Sequence, residues 1–159
     1  MARTGFDPAN TSDTTALYTL GLVLEYGGNW YRYLLNSDAA TANGDAMRPT
    51  ATVSTANGGT AETVNNRRVA GGGTPAAVAD TAIVGIAVGV VGAGKYGWFL
   101  VRGYHSAVKC AAAVAAGDVL TADTVADLYV KTMAAVTSKP CGTARTAAAA
   151  NLCTAYINV

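Results

Sequence analysis

The chain has few charged side chains. Lysine, arginine, aspartate and glutamate make up 13% of its 159 residues, whereas about a quarter is usual for soluble domains. The net charge is +1, and Arg67-Arg68 is the one adjacent basic pair. The sequence therefore has neither a basic stripe for nucleic acid nor an acidic tail. Sparse charge indicates that another molecule covers much of the surface, and we expect no nucleic-acid partner.

Side chains for acid–base chemistry and metal binding are also scarce. His105 is the only histidine, and glutamate occurs only at Glu25 and Glu62. The one acidic cluster consists of Asp118, Asp123 and Asp127. Its spacing fits no calcium loop, and Asp118 directly follows a glycine, which predicts a turn residue. We expect no metal, no cofactor and no catalytic residue.

Cysteines and long apolar runs are rare as well. Cys110, Cys141 and Cys153 form no CxxC pair, which predicts small buried hydrophobic residues in a reducing cell rather than a disulfide framework or a zinc site. The apolar stretch 82–94 is too short to cross a bilayer, which needs about 20 residues. No secretory signal is visible at the N terminus. We expect synthesis in the cytoplasm and no membrane partner.

Two stretches of the chain echo each other. In each, an aromatic run leads through an alanine-rich link to a Gly-Asp turn: 30–33 leads to Gly44-Asp45, and 98–101 leads to Gly117-Asp118. Aromatic and branched residues favour strands. A Gly-Gly-Asn turn between two such runs at 17–25 and 30–35 predicts a hairpin. The sequence predicts an all-β fold, a small β-barrel or β-sandwich built from hairpins.

The organisation along the chain follows from composition. Residues 1–16 lack periodicity and predict an extended N-terminal arm, whose deletion should leave the fold intact. Residues 17–159 predict a single β-rich domain with long loops rich in alanine, threonine and glycine, including a loop over 134–151. Small side chains bury little apolar area, so self-association would add to a thin core.

The glycine cluster Gly92–Gly97 matches the dinucleotide-binding pattern GxGxxG. That motif works by placing phosphate at the N terminus of a following helix. Here the following residues, 98–101, are strand formers. We therefore predict a hairpin turn, and a small β-barrel enzyme or nucleotide binder using this cluster and His105 is the alternative of a different class.

The aromatic residues are candidates for both core and contact. They include Tyr18, Tyr26, Trp30, Tyr31, Tyr33, Trp98, Phe99 and Tyr104. Tyrosine and tryptophan are enriched at interfaces because they combine large area with a polar tip. We expect this group to divide between core and subunit contact.

The stretch 83–120 carries a series of motifs in a fixed order. They are Val84-Gly85-Ile86-Ala87, Tyr96-Gly97-Trp98, Val101, Gly103, Ala115-Ala116-Gly117-Asp118 and Leu120. In this series the chain resembles the head decoration, or cement, proteins of tailed bacteriophages. The resemblance implies a small β-barrel or β-sandwich on the outside of the virion capsid. It also implies the major capsid protein as partner, a homotrimer, and no catalytic residues.

The expected function is thus that of a structural virion protein that binds the phage head and bridges major capsid subunits. Candidate contact residues are Arg3 and Phe6 in the arm, with Tyr31, Arg32 and Tyr33 on the aromatic strand. Another virion part, such as a head fibre or a tail protein, is the alternative of the same class.

Overall fold

The regular secondary structure of the chain, where the structure describes it, is almost entirely β-strand. A computed structural model describes residues 7–37, 39–50, 65–70, 83–123, 130–133 and 139–159. In these ranges a short 3-10 helix, Pro8–Asn10, precedes ten strands. The strands are β1 (Val23–Tyr26), β2 (Asn29–Asn36), β3 (Ala46–Thr50), β4 (Asn65–Ala70), β5 (Gly85–Ala87), β6 (Tyr96–Lys109), β7 (Val119–Ala122), β8 (Val130–Thr132), β9 (Pro140–Ala144) and β10 (Leu152–Asn158). The predicted all-β class is confirmed.

The ten strands form one sheet in the order β1-β2-β4-β3-β5-β6-β10-β9-β7-β8. The sheet is mixed, because β2 and β4 run parallel while the other strand ladders are antiparallel. The first hairpin joins β1 to β2 through Gly27-Gly28, both with positive φ. This is the predicted hairpin, and its two glycines adopt the conformation that such tight turns require.

The sheet contains the same arrangement twice. In the first unit, β2 pairs with β4, β4 with β3, β3 with β5, β5 with β6, and β6 again with β2. In the second unit, β7 pairs with β8 and β9, and β9 with β10, which pairs with the later part of β6. A parallel bridge between Cys110, just after β6, and Val130 on β8 completes the second unit. The 14-residue strand β6 belongs to both units.

The two Gly-Asp turns occupy equivalent places in the two units. In each turn the glycine N–H donates to an alanine carbonyl, and the N–H of that alanine donates back to the aspartate carbonyl. The distances are 2.8 and 2.9 Å for Gly44, Asp45 and Ala87, and again 2.8 and 2.9 Å for Gly117, Asp118 and Ala144. Both glycines have positive φ, near +90°. The echo in the sequence is therefore an internal structural repeat.

Among the residues that the structure describes, buried apolar side chains form two clusters. The smaller consists of Leu34, Met47, Ala87, Val91 and Phe99. The larger includes Tyr31, Tyr33, Ala46, Ile86, Trp98 and Leu100 from the first unit, and Val108, Leu120, Ala144, Ala155 and Ile157 from the second. Successive residues on a strand face opposite ways, so residues such as Trp98 and Phe99 place the two clusters on opposite faces of β6. The first unit is thus covered on both sides.

Residues 7–16, which begin with the 3-10 helix, pack on their own domain. Asp13 exchanges two backbone hydrogen bonds with Tyr96, at 2.8 and 2.9 Å. The Asp13 carboxylate accepts a hydrogen bond from the Tyr33 hydroxyl at 2.8 Å, and Ser12 Oγ accepts one from the Gly92 N–H at 3.0 Å. Through these contacts, this part of the expected arm lies on the domain, and its backbone pairs with the start of β6.

Two further expectations can be compared with the strands. The chain turns at Ala93-Gly94 and enters β6 at Tyr96, so the glycine cluster joins two strands and starts no helix, as predicted.

The segment 134–151 was expected to be a loop, but β9 lies within it. Its alanine, threonine and glycine residues pair because β10 and β7 flank them on either side, and this tertiary contact overrides weak local propensity.

Candidate interaction face

The aromatic residues divide between core and surface. Tyr33, Trp98 and Phe99 are at most 1% exposed, and Tyr31 is 7% exposed. Tyr26, Trp30 and Tyr104 are between 42% and 54% exposed. The aromatic group was expected to divide in this way, and the register now shows which members reach solvent.

The predicted contact residues are therefore not brought together at the surface. Tyr31 and Tyr33 are core residues, because their strand is covered by the larger cluster, and Arg32 is half-buried. Arg3 and Phe6 lie outside the described residues. A contact surface in the described part of the chain has to be sought elsewhere.

Exposed side chains form a row across four neighbouring strands. Glu25 on β1 lies opposite Trp30 on β2, Trp30 opposite Arg102 on β6, and Arg102 opposite Asn158 on β10. All four residues are exposed. Directly opposed residues in an antiparallel pair place their side chains on the same face, with Cβ atoms about 5 Å apart.

A second row lies next to the first on the same face. Tyr104 is two residues beyond Arg102 on β6 and is directly opposite Tyr156 on β10. The two tyrosines are 54% and 43% exposed. We call Trp30, Arg102, Tyr104 and Tyr156 the aromatic face. It is an exposed group of three large aromatic side chains around one guanidinium.

A polar contact and a glycine fix the backbone beneath this face. The turn between β1 and β2 ends at Asn29. The Asn29 side chain pairs with the backbone of Tyr104 as a neighbouring strand would: its Oδ1 accepts the Tyr104 N–H at 2.9 Å, and its Nδ2 donates to the Tyr104 carbonyl at 3.4 Å. The neighbouring Gly103 has φ +126°, and a Cβ there would overlap the Asn29 side chain. A glycine is therefore required for Tyr104 to be held at this position.

In the first unit of the internal repeat, the equivalent face is buried by other residues of the chain. Tyr31 pairs with Leu100 in the first unit as Tyr104 pairs with Tyr156 in the second. The first pair is at most 7% exposed. The residues that pack against its cluster include Tyr18, Leu20 and Leu24 from the N-terminal part of the chain. The second pair is exposed, so the second unit presents a face whose counterpart is buried.

Sequence reasoning missed two members of the face, Arg102 and Tyr156. Their signal was the alternation along β6 and β10, where buried residues such as Gly103 and Ile157 lie between exposed ones. Alternation alone does not show which strands are neighbours, and that depends on pairing between β2, β6 and β10.

His105 is held by structural contacts. The Ala107 N–H donates to its Nδ1 at 3.1 Å, so we assign the proton to Nε2, which lies 3.2 Å from Asn43 Oδ1. Burial lowers the pKa of His105 below its ordinary value of 6.5. These contacts join β6 to the turn of the first unit, and Ser106, which follows His105, is exposed on the opposite face of the strand.

The environment of His105 predicts a pH-dependent stability. The neutral form is favoured in the folded protein, so below pH 6.5 the unfolded chain binds a proton more readily. The free energy of unfolding should therefore fall as the pH decreases from about 6.5 towards the lowered pKa of the folded state. Urea unfolding at pH 7.5 and 5.5 should show a larger loss in the wild type than in His105→Gln. Equal losses would contradict this assignment, because the chain has no other histidine.

The cysteines and aspartates behave as structural residues. All three cysteines are buried and free. Burial raises the pKa of Cys141 and of Cys153 to about 12 and also raises that of Cys110. Hydrogen bonds from Thr132 and from the Ala115 N–H lower the pKa of Asp118. Among the described residues no group of three or more histidine, cysteine, aspartate or glutamate side chains is placed to hold a metal ion.

Comparison with other proteins gives no relative for this chain: no family model, no curated protein and no solved structure matches it. Within the described ranges no helix is long and apolar enough to cross a membrane.

Proposed function

We propose that this chain is a structural virion protein that binds the outer surface of a phage head and stabilises the shell by bridging major capsid subunits. The observation that supports this proposal is the aromatic face. Three aromatic side chains and an arginine are exposed together on paired strands. Aromatic residues and arginine are the types enriched at protein–protein interfaces, where they contribute much of the binding energy.

Two further features suit a protein that acts by covering area. Charged residues make up only 13% of the chain, which limits the cost of removing charge from water when a surface is covered. The residues of the face lie on strands, so their backbone is already ordered and loses little conformational freedom on binding. Many weakly bound copies on one shell would add their effects without requiring a large interface for each copy.

The proposal can be tested by adding purified protein to undecorated phage heads. We expect saturable binding and a higher melting temperature of the heads. The Tyr104→Ser/Tyr156→Ser double variant should bind at least tenfold more weakly, since both large side chains of the second row are lost. Val90→Ser is the matched control, because Val90 is 62% exposed and lies in the connection between β5 and β6, outside the strands that carry the face.

Failure of the wild-type protein to bind heads would contradict the proposal. Binding to isolated tails or fibres instead would assign the chain to another virion part. Equal binding by wild type and the double variant would show that Tyr104 and Tyr156 of the aromatic face do not mediate binding to heads.

A further inference from the structure

We infer that the row formed by Glu25, Trp30 and Arg102 docks against the same row of a second copy of this chain, across a two-fold axis that places Arg102 opposite Glu25 of the other copy. This inference rests on the aromatic face being a protein contact, as does the proposed function. It goes further in naming a second copy of the chain as the partner of the first row, which lies beside the Tyr104 and Tyr156 row that the proposed function assigns to the shell. A two-fold pair also differs from the trimer that the family resemblance implies.

The first argument is the arrangement of charge. Glu25 and Arg102 lie on opposite sides of Trp30 in the first row of exposed side chains. Both are exposed, and in the described part of the chain neither belongs to an ion pair. The row therefore carries one unpaired negative and one unpaired positive side chain, separated by a tryptophan.

The second argument is symmetry. A two-fold axis that runs along the strand direction through Trp30, between two facing sheets, exchanges left and right. It sets Arg102 of each copy against Glu25 of the other and brings the two Trp30 side chains together. Isologous interfaces require such self-complementarity, in which residue i meets residue j and j meets i. A surface with charges of a single sign would instead be repelled by its own copy.

The third argument is the overall charge. With a net charge of +1, two copies of the chain approach each other with little overall repulsion.

The experiment measures molar mass in solution by light scattering and sedimentation over increasing protein concentration. We expect a concentration-dependent approach to twice the 16.0 kDa of the chain. Glu25→Arg and Arg102→Glu should each weaken the dimer at least tenfold, because each places like charges opposite one another. The double variant Glu25→Arg/Arg102→Glu restores opposite charges in reversed order and should return the dissociation constant to within about threefold of wild type, or about 0.7 kcal/mol.

Lys95→Glu is the control, since it reverses a charge in the turn before β6 and should leave the dimer unchanged. Near-ultraviolet circular dichroism checks that each variant is folded. A monomer at every concentration, a trimer, or a double variant as weak as the singles would overturn the inference.

The outcomes separate this inference from the proposed function. If the chain stays monomeric but heads bind it through Tyr104 and Tyr156, the face belongs to the shell and only the self-association fails. If the dimer forms and the charge exchange restores it while heads are ignored, the self-association stands and the virion function fails.

Discussion

Replacing Asp45 with alanine is expected to lower the free energy of unfolding by about 3 kcal/mol, the lower end of the cost of removing one member of a buried ion pair, because the Lys109 side chain that remains is 26% exposed. The Asp45 side chain is 2% exposed, and its Oδ1 lies 2.5 Å from the Lys109 ammonium. Among the described residues that oxygen has no hydrogen bond to any other group. Its Oδ2 accepts the Ala42 N–H at 2.6 Å. The substitution therefore leaves an ammonium and an amide without their partner.

The repeat supplies the matched control for this prediction. Asp118 occupies the equivalent turn and accepts the Ala115 N–H in the same way, at 2.8 Å. It is more exposed and forms no ion pair within the described ranges. Asp118→Ala should therefore destabilise the protein less than Asp45→Ala in urea unfolding at pH 7.5.

Removing both charges tests whether the ion pair between Asp45 and Lys109 is the cause of the destabilisation. Lys109→Met leaves Asp45 as a buried unpaired carboxylate and should also be strongly destabilising. Asp45→Asn/Lys109→Met removes both charges and keeps an acceptor for the Ala42 N–H, so it should lose less stability than Lys109→Met alone. If the double variant loses as much stability as Asp45→Asn and Lys109→Met lose together when each is measured alone, the ion pair is not the source of the destabilisation.

Truncation at residue 16 should destabilise the fold by about 4 kcal/mol relative to a chain that begins at residue 7. Residues 7–16 make four hydrogen bonds to the domain through Ser12 and Asp13, each worth about 1 kcal/mol net. The shorter truncation is the reference, so the difference in unfolding free energy reports these ten residues alone. Equal stabilities would restore the expectation of a separate arm.

Tyr33→Phe isolates one of these contacts. The Tyr33 ring is packed 5.0 Å from the Trp98 ring and 5.2 Å from that of Tyr18, and its hydroxyl joins Asp13 to the Leu17 N–H. Burial raises the pKa of Tyr33, so the hydroxyl remains a donor across the working pH range. Phenylalanine keeps the ring and removes the hydroxyl, which donates to Asp13 and accepts from the Leu17 N–H, and this should cost about 1–3 kcal/mol.

Much of the fold could be predicted from the sequence because its signals are local. The Gly-Gly turn, the aromatic strand after it and the two Gly-Asp turns are each determined by neighbouring residues. The position of residues 7–16 could not be predicted, because it depends on Asp13 meeting Tyr96 and Tyr33 far along the chain. Strand β9 was missed for the same reason, as its pairing partners are supplied by other parts of the sheet.

The candidate site was harder to predict than the fold. Tyr31 and Tyr104 are both tyrosines in equivalent strands, yet one is 7% and the other 54% exposed. Residue type does not distinguish them. The difference lies in what packs above each strand, which is a property of the assembled chain.

The shared strand β6 also determines how the protein should unfold. It belongs to both units, because it pairs with β2 and β5 through its first half and with β10 through its second half. Neither half of the gene product would therefore keep a complete set of partners if the two were produced separately. Despite its duplicated plan, the protein should melt in a single cooperative transition rather than in two steps.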